Sequence, residues 1–75
     1  MLAELGYIKI ADNGKTIIYQ KRFDNEPYNL VKTITFYTRD QGISFEMYVE
    51  DDPLVVFLST AELQAINAKI KELEW

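Results

Sequence analysis

Only one stretch of this chain carries a helical repeat, and it has to cover everything else. Leu63, Ile66, Ile70 and Leu73 recur at spacings of three, four and three. At 100° per residue they form one apolar stripe. Ser59 followed three residues later by Glu62 is a capping box, and Leu58 and Leu63 occupy the two positions of a hydrophobic staple. The pattern predicts a helix over Ser59 to Trp75. Its back carries Ala61, Ala65, Ala68 and Glu72.

The upstream residues read as strands. Tyr7 to Ala11 and Thr16 to Arg22 flank Asn13-Gly14, a strong hairpin signal because a type I′ turn needs positive φ at both central residues. A two-residue turn there sets Ile10 opposite Ile17 and Ile8 opposite Tyr19, with those four on the core side. Tyr7, Lys9, Ala11, Thr16, Ile18 and Gln20 then point outward. Phe23 to Asn29, with Asp24, Asn25, Glu26 and Pro27, has the chemistry of a loop. Leu30 to Thr38 and Ile43 to Glu50 have strand composition. A four-residue loop between them sets Phe36 opposite Phe45 and Ile34 opposite Met47, and a one-residue slip would turn every side chain over. Thr33, Thr35, Tyr37, Ser44, Glu46 and Tyr48 then face outward. Asp51-Asp52-Pro53 breaks the sheet. Leu54 to Leu58 is either a fifth strand or an extended approach to the helix. Met1 to Leu5 is either a helical turn closed by Gly6 or a plain lead-in.

The expected fold is therefore α+β: an antiparallel four- to five-stranded β-meander with one C-terminal helix packed across one face, as a single domain over 1–75. A chain of 75 residues buries only about 60% of its unfolded surface. Its stability is expected to be modest or shared with a second copy.

Several chemistries are excluded at once. The chain has no cysteine and no histidine, so it lacks a thiol nucleophile, a disulfide, the usual base near neutral pH and the commonest metal ligand. Gly14-Lys15-Thr16 lacks the upstream glycine and following helix of a phosphate loop. Glu46, Glu50, Asp51 and Asp52 offer oxygen ligands without the spacing or glycine of a calcium loop. No catalytic residue, cofactor or metal site is expected. A net charge of −4 disfavours nucleic acid, whose binding rests on neutralising phosphates. No apolar run approaches the roughly 18 residues of a membrane span, and the first residues lack a signal-peptide pattern.

Leu5-Gly6-Tyr7, Ile34-Thr35-Phe36 and the run from Leu63 to Leu73, Leu-Gln-Ala-Ile-Asn-Ala-Lys-Ile-Lys-Glu-Leu, resemble small uncharacterised proteins of phages and prophages of Gram-positive bacteria. Glu74 stands where that pattern carries a glycine before the tryptophan. The resemblance implies a mobile-element setting and a bacterial cytoplasm. It implies no activity.

What remains is a surface. The strand alternation sets Tyr7, Ile18, Tyr37 and Tyr48 on the outer face, and Trp75 at the tip of the helix. Tyrosine and tryptophan are enriched at protein interfaces. The expectation is a non-enzymatic protein-interaction module that binds a host or phage protein, alone or as a homodimer, through Tyr7, Ile18, Tyr37, Tyr48 and Trp75. The alternative is a nucleic-acid-binding module that stacks bases on the tyrosine face. That face offers only Lys9 and Arg22 against Glu46 and Glu50.

Overall fold

The computed structural model describes residues 2–25, 28–50 and 52–75. Among these, five strands cross one antiparallel sheet in chain order: β1 (Ile8–Asp12), β2 (Thr16–Asn25), β3 (Tyr28–Tyr37), β4 (Gly42–Val49) and β5 (Asp52–Pro53). A single helix, α1 (Thr60–Glu72), packs on one face. This is the α+β meander with a C-terminal helix that the sequence predicts.

Both helix ends are built as capping physics demands. The Glu62 N–H donates to Ser59 Oγ at 3.1 Å, and the Ser59 N–H donates to Glu62 Oε1 at 3.0 Å. At the other end Glu74 takes φ 60°, its N–H donates to the Lys71 carbonyl at 3.0 Å, and the Trp75 N–H donates to the Ile70 carbonyl at 3.2 Å. These two bonds form a Schellman motif, with a glutamate in the left-handed position that glycine normally takes.

The buried face of α1 differs from the expected stripe. Glu62, Ala65 and Ile66 are buried, Ile70 and Leu73 pack against the core, and Leu63 is half-exposed. The helix is rolled by about 50°, half a residue's turn, toward its alanine flank. Ala65, expected on the exposed back, is 2% exposed against the sheet. Ala61 is exposed, as expected, and Ala68 is half-buried. Glu62 explains the roll, because its carboxylate is drawn into the core by groups described below.

The β1–β2 hairpin corrects the expected register. Asn13 does not enter the turn with positive φ. Instead Asn13 Oδ1 accepts from the Lys15 N–H at 3.0 Å and the Thr16 N–H at 2.9 Å, while Gly14 alone in the turn takes positive φ, 82°. The central pair is thus Gly14-Lys15, with glycine first. Asp12 then faces Ile17 and Ala11 faces Ile18. A bulge follows: Lys9 faces Tyr19 and Ile8 faces Gln20, leaving Ile10 as the extra residue. One extra residue turns over everything before it. Ile8, expected in the core, is 68% exposed; Ile10 is exposed as well; and Tyr7, expected outside, is buried.

The loop expected over Phe23 to Asn29 is mostly strand. β2 and β3 pair without interruption from Thr16↔Tyr37 to Asn25↔Tyr28. The pair Phe23↔Leu30 continues the core-side alternation of Ile17, Tyr19 and Lys21. Pro27 lies outside the described residues. In the β3–β4 hairpin the expected faces hold, but the register moves by two residues: Phe36 faces Ile43 and Ile34 faces Phe45. Gln41 takes the left-handed position, φ 54°, which frees Gly42 to join the strand. Leu54 to Leu58 is the extended approach rather than a strand. The fifth strand is Asp52–Pro53, within the segment expected to break the sheet. Ala3–Leu5 form a 3₁₀ turn closed by Gly6 at φ 93°, and Leu2 is buried in the core.

The core centres on Phe36 and Ile34, with Leu2, Tyr7, Ile17, Ala65 and Ile66 around them. Phe36 meets Tyr19 and Trp75 edge-on, at centroid distances of 6.0 and 6.1 Å.

Candidate interaction surface

The five residues expected to form one partner surface are divided between two faces. Ile18, Tyr37 and Tyr48 lie on the face away from α1, because their cross-strand partners Thr35, Gly42 and Val31 belong to the outward rows of β3 and β4. Trp75 is half-buried on the helix side, packed on Phe36. Tyr7 is buried on the helix side as well, a consequence of the Ile10 bulge. The outer face is also less open than its composition suggests. Ser44 Oγ donates to the Tyr37 hydroxyl at 3.3 Å, and the Tyr48 hydroxyl donates to Glu46 Oε2 at 3.1 Å. Arg22 Nε donates to Gln20. These groups are engaged with one another within the face.

Tyr7 belongs instead to a buried polar cluster. Its hydroxyl donates to Glu62 Oε2, and Lys32 Nζ donates to both carboxylate oxygens at 2.8 and 2.9 Å. With the Ser59 amide, Glu62 accepts four hydrogen bonds. Burial alone would raise the Glu62 pKa. The hydrogen bonds from Lys32, Ser59 and Tyr7 and the charge of Lys32 outweigh it and hold the carboxyl at about 2. Burial, and then the bond to Glu62 and its negative charge, push the Tyr7 phenol well above its ordinary range. Every polar atom of the cluster is satisfied internally. Its geometry fastens three elements together: the lead into β1, the middle of β3 and the first turn of α1. No sequence signal marks it, since Tyr7 and Lys32 lie 55 and 30 residues from Glu62.

A cleft of about 220 Å³ runs between α1 and the N-terminal turn, lined by Leu2, Ala3, Tyr19, Ala65, Ala68, Lys69 and Glu72. Its one cation is already engaged: Lys69 Nζ lies 3.3 Å from Glu72 and 5.7 Å from the centroid of the Tyr19 ring. Among the described residues no three acidic side chains converge on a point that suits a metal ion. No helix among them is long and apolar enough to cross a membrane.

The apolar surface that sequence reasoning missed lies at the β4 edge. β5 pairs only with Tyr48 and Val49, and the Leu54 N–H donates to the Met47 carbonyl at 2.8 Å. The chain then turns toward α1, with Leu54 and Leu63 half-exposed, Val55 94% exposed and Phe57 69% exposed. Phe57 stays near the protein through its ring, 5.8 Å from Lys32 Nζ. Among the described residues, Gly42 to Glu46 of β4 has no strand beside it on this side. The unalternating apolar run Leu54-Val55-Val56-Phe57-Leu58 was the available signal. An apolar run reads as core by default, and here one helix is too narrow to cover it: a helix is ~10 Å across and each strand spans ~4.8 Å, so one helix spans about two strands. The chain matches no protein-family model, no curated protein and no solved structure in comparisons with all three.

Proposed function

We propose that this chain is a small non-enzymatic interaction protein, in keeping with the phage or prophage setting that its resemblance implies, and that its partner surface is the β4 edge with Leu54, Val55 and Phe57. The exposure of Val55 and Phe57 on an extended, unpaired segment carries this reading. Large apolar side chains grouped at an open sheet edge are the pattern by which sheets take up an added strand. The buried ionisable cluster supports the non-enzymatic part, because Glu62 is saturated by its own neighbours. Nucleic-acid binding through Tyr37 and Tyr48 is the weaker reading, since a carboxylate, Glu46, holds the Tyr48 hydroxyl.

Val55→Asp tests the proposal cleanly. Val55 is almost fully exposed, so the substitution is expected to change stability by less than about 0.5 kcal/mol. Protein captured from host lysate by the wild type should be lost with Val55→Asp at unchanged thermal stability. Identical capture by both would overturn the proposal.

A further inference from the structure

We infer that the occupant of the β4 edge is a second copy of this chain, joined by antiparallel pairing of β4 with β4 about a two-fold axis at Ser44. The inference rests on the interaction reading above and deepens it. The Met47 carbonyl faces outward, since it accepts from Leu54. In an antiparallel strand the backbone groups of alternate residues share a side. Ile43 and Phe45 therefore also present their N–H and C=O groups outward. An axis at Ser44 sets Ile43 of one copy opposite Phe45 of the other, twice, and uses both free residues without displacing Leu54. Axes at Ile43 or Phe45 would waste one of them or collide with the bond at Met47.

The side chains suit this register. On the helix side the pairs are isoleucine with phenylalanine, a favourable cross-strand combination. On the outer face Ser44 meets Ser44, and Glu46 meets Gly42. The two Glu46 carboxylates are set apart by about four residues, roughly 14 Å, beyond the ~10 Å Debye length. The vacant lane ends at Leu54, so the partner's Thr38–Gln41 turn comes to rest against Leu54 and Val55. The other free edge is poorly suited: β1 carries the Ile10 bulge and the Lys9–Asp12 pair, two devices that protect an edge. β4 pairs with β3 over eight residues without a register shift.

Ser44 supplies the test. In a non-hydrogen-bonded pair the Cα atoms lie about 4.5 Å apart, within disulfide range. The chain has no cysteine, so Ser44→Cys introduces the only one. Under mild oxidation Ser44→Cys should cross-link to a dimer, and Glu46→Cys should not. By sedimentation, Ser44→Lys and Ser44→Glu alone should each weaken association roughly tenfold or more, and their mixture should restore it. A wild type that stays monomeric at every concentration, or a dimer indifferent to all three Ser44 variants, would overturn the inference. Either result leaves the Val55→Asp capture experiment free to succeed or fail independently.

Discussion

Glu62 is the residue on which most of the fold converges. It caps α1, neutralises Lys32 and accepts from Tyr7. Glu62→Gln removes the counter-ion and leaves a buried ammonium, so it should cost ~3 kcal/mol or more by urea denaturation. The same carboxyl governs acid stability. Its folded pKa of about 2 lies below the unfolded 4.5, so its contribution is complete above pH 4.5 and is lost as pH falls toward 2. That contribution is on the order of 3 kcal/mol. The wild type should therefore lose stability between about pH 5 and pH 2, and Glu62→Gln should show a flatter acid limb; equal acid limbs would contradict the assignment. Glu74 is a smaller case with the opposite sign. A glutamate at φ 60° carries a left-handed penalty of roughly 1–2 kcal/mol, so Glu74→Gly should raise the thermal midpoint by several degrees. The capping role of Glu62 was legible because Ser59 stands three residues away. Its role in the core was not, because it depends on which way Tyr7 points.

At the scale of elements, each misreading traces to a change of one or two residues with long consequences. The alternation expected in β1 does not hold, because a single bulge at Ile10 exchanges Ile8 for Tyr7 in the core. The Asn13 side chain moved the turn by one residue, which period-two patterning cannot detect. The existence of the helix, its start and its N-terminal capping box were legible because they are local, whereas its end at Glu72 falls short of the expected Trp75. The roll of α1 was not, because Leu63 and Ala65 compete for the sheet and the buried carboxylate decides between them. That roll makes a testable contrast. Leu63→Ala should cost less than about 1 kcal/mol, since the side chain is already half in water. Ala65→Leu should cost about 1–3 kcal/mol, by overpacking against the sheet. A helix seated on its Leu63 stripe would give the reverse order in chemical denaturation.

For the molecule as a whole, the relevant fact is that the five strands among the described residues share one helix, which spans about two of them. The helix sits over the middle of the sheet, where Phe36 and Ile34 are fully buried, while Ile43 and Phe45 at the β4 side stay half-covered. Surface left over in this way links folding to association. If each folded chain gains stability by pairing its β4 edge, unfolding must also dissociate the pair, and mass action makes the midpoint depend on concentration. Above the dissociation constant, each tenfold rise in protein concentration adds about 1.4 kcal/mol per dimer, or half that per chain. For a domain of this size that is a rise of ~3–6 °C per decade. Scanning calorimetry of the wild type over three decades should show that slope, and Ser44→Lys should flatten it. A flat wild-type profile would mean that the small core under α1 is sufficient by itself, and that the β4 edge is kept open for a different chain.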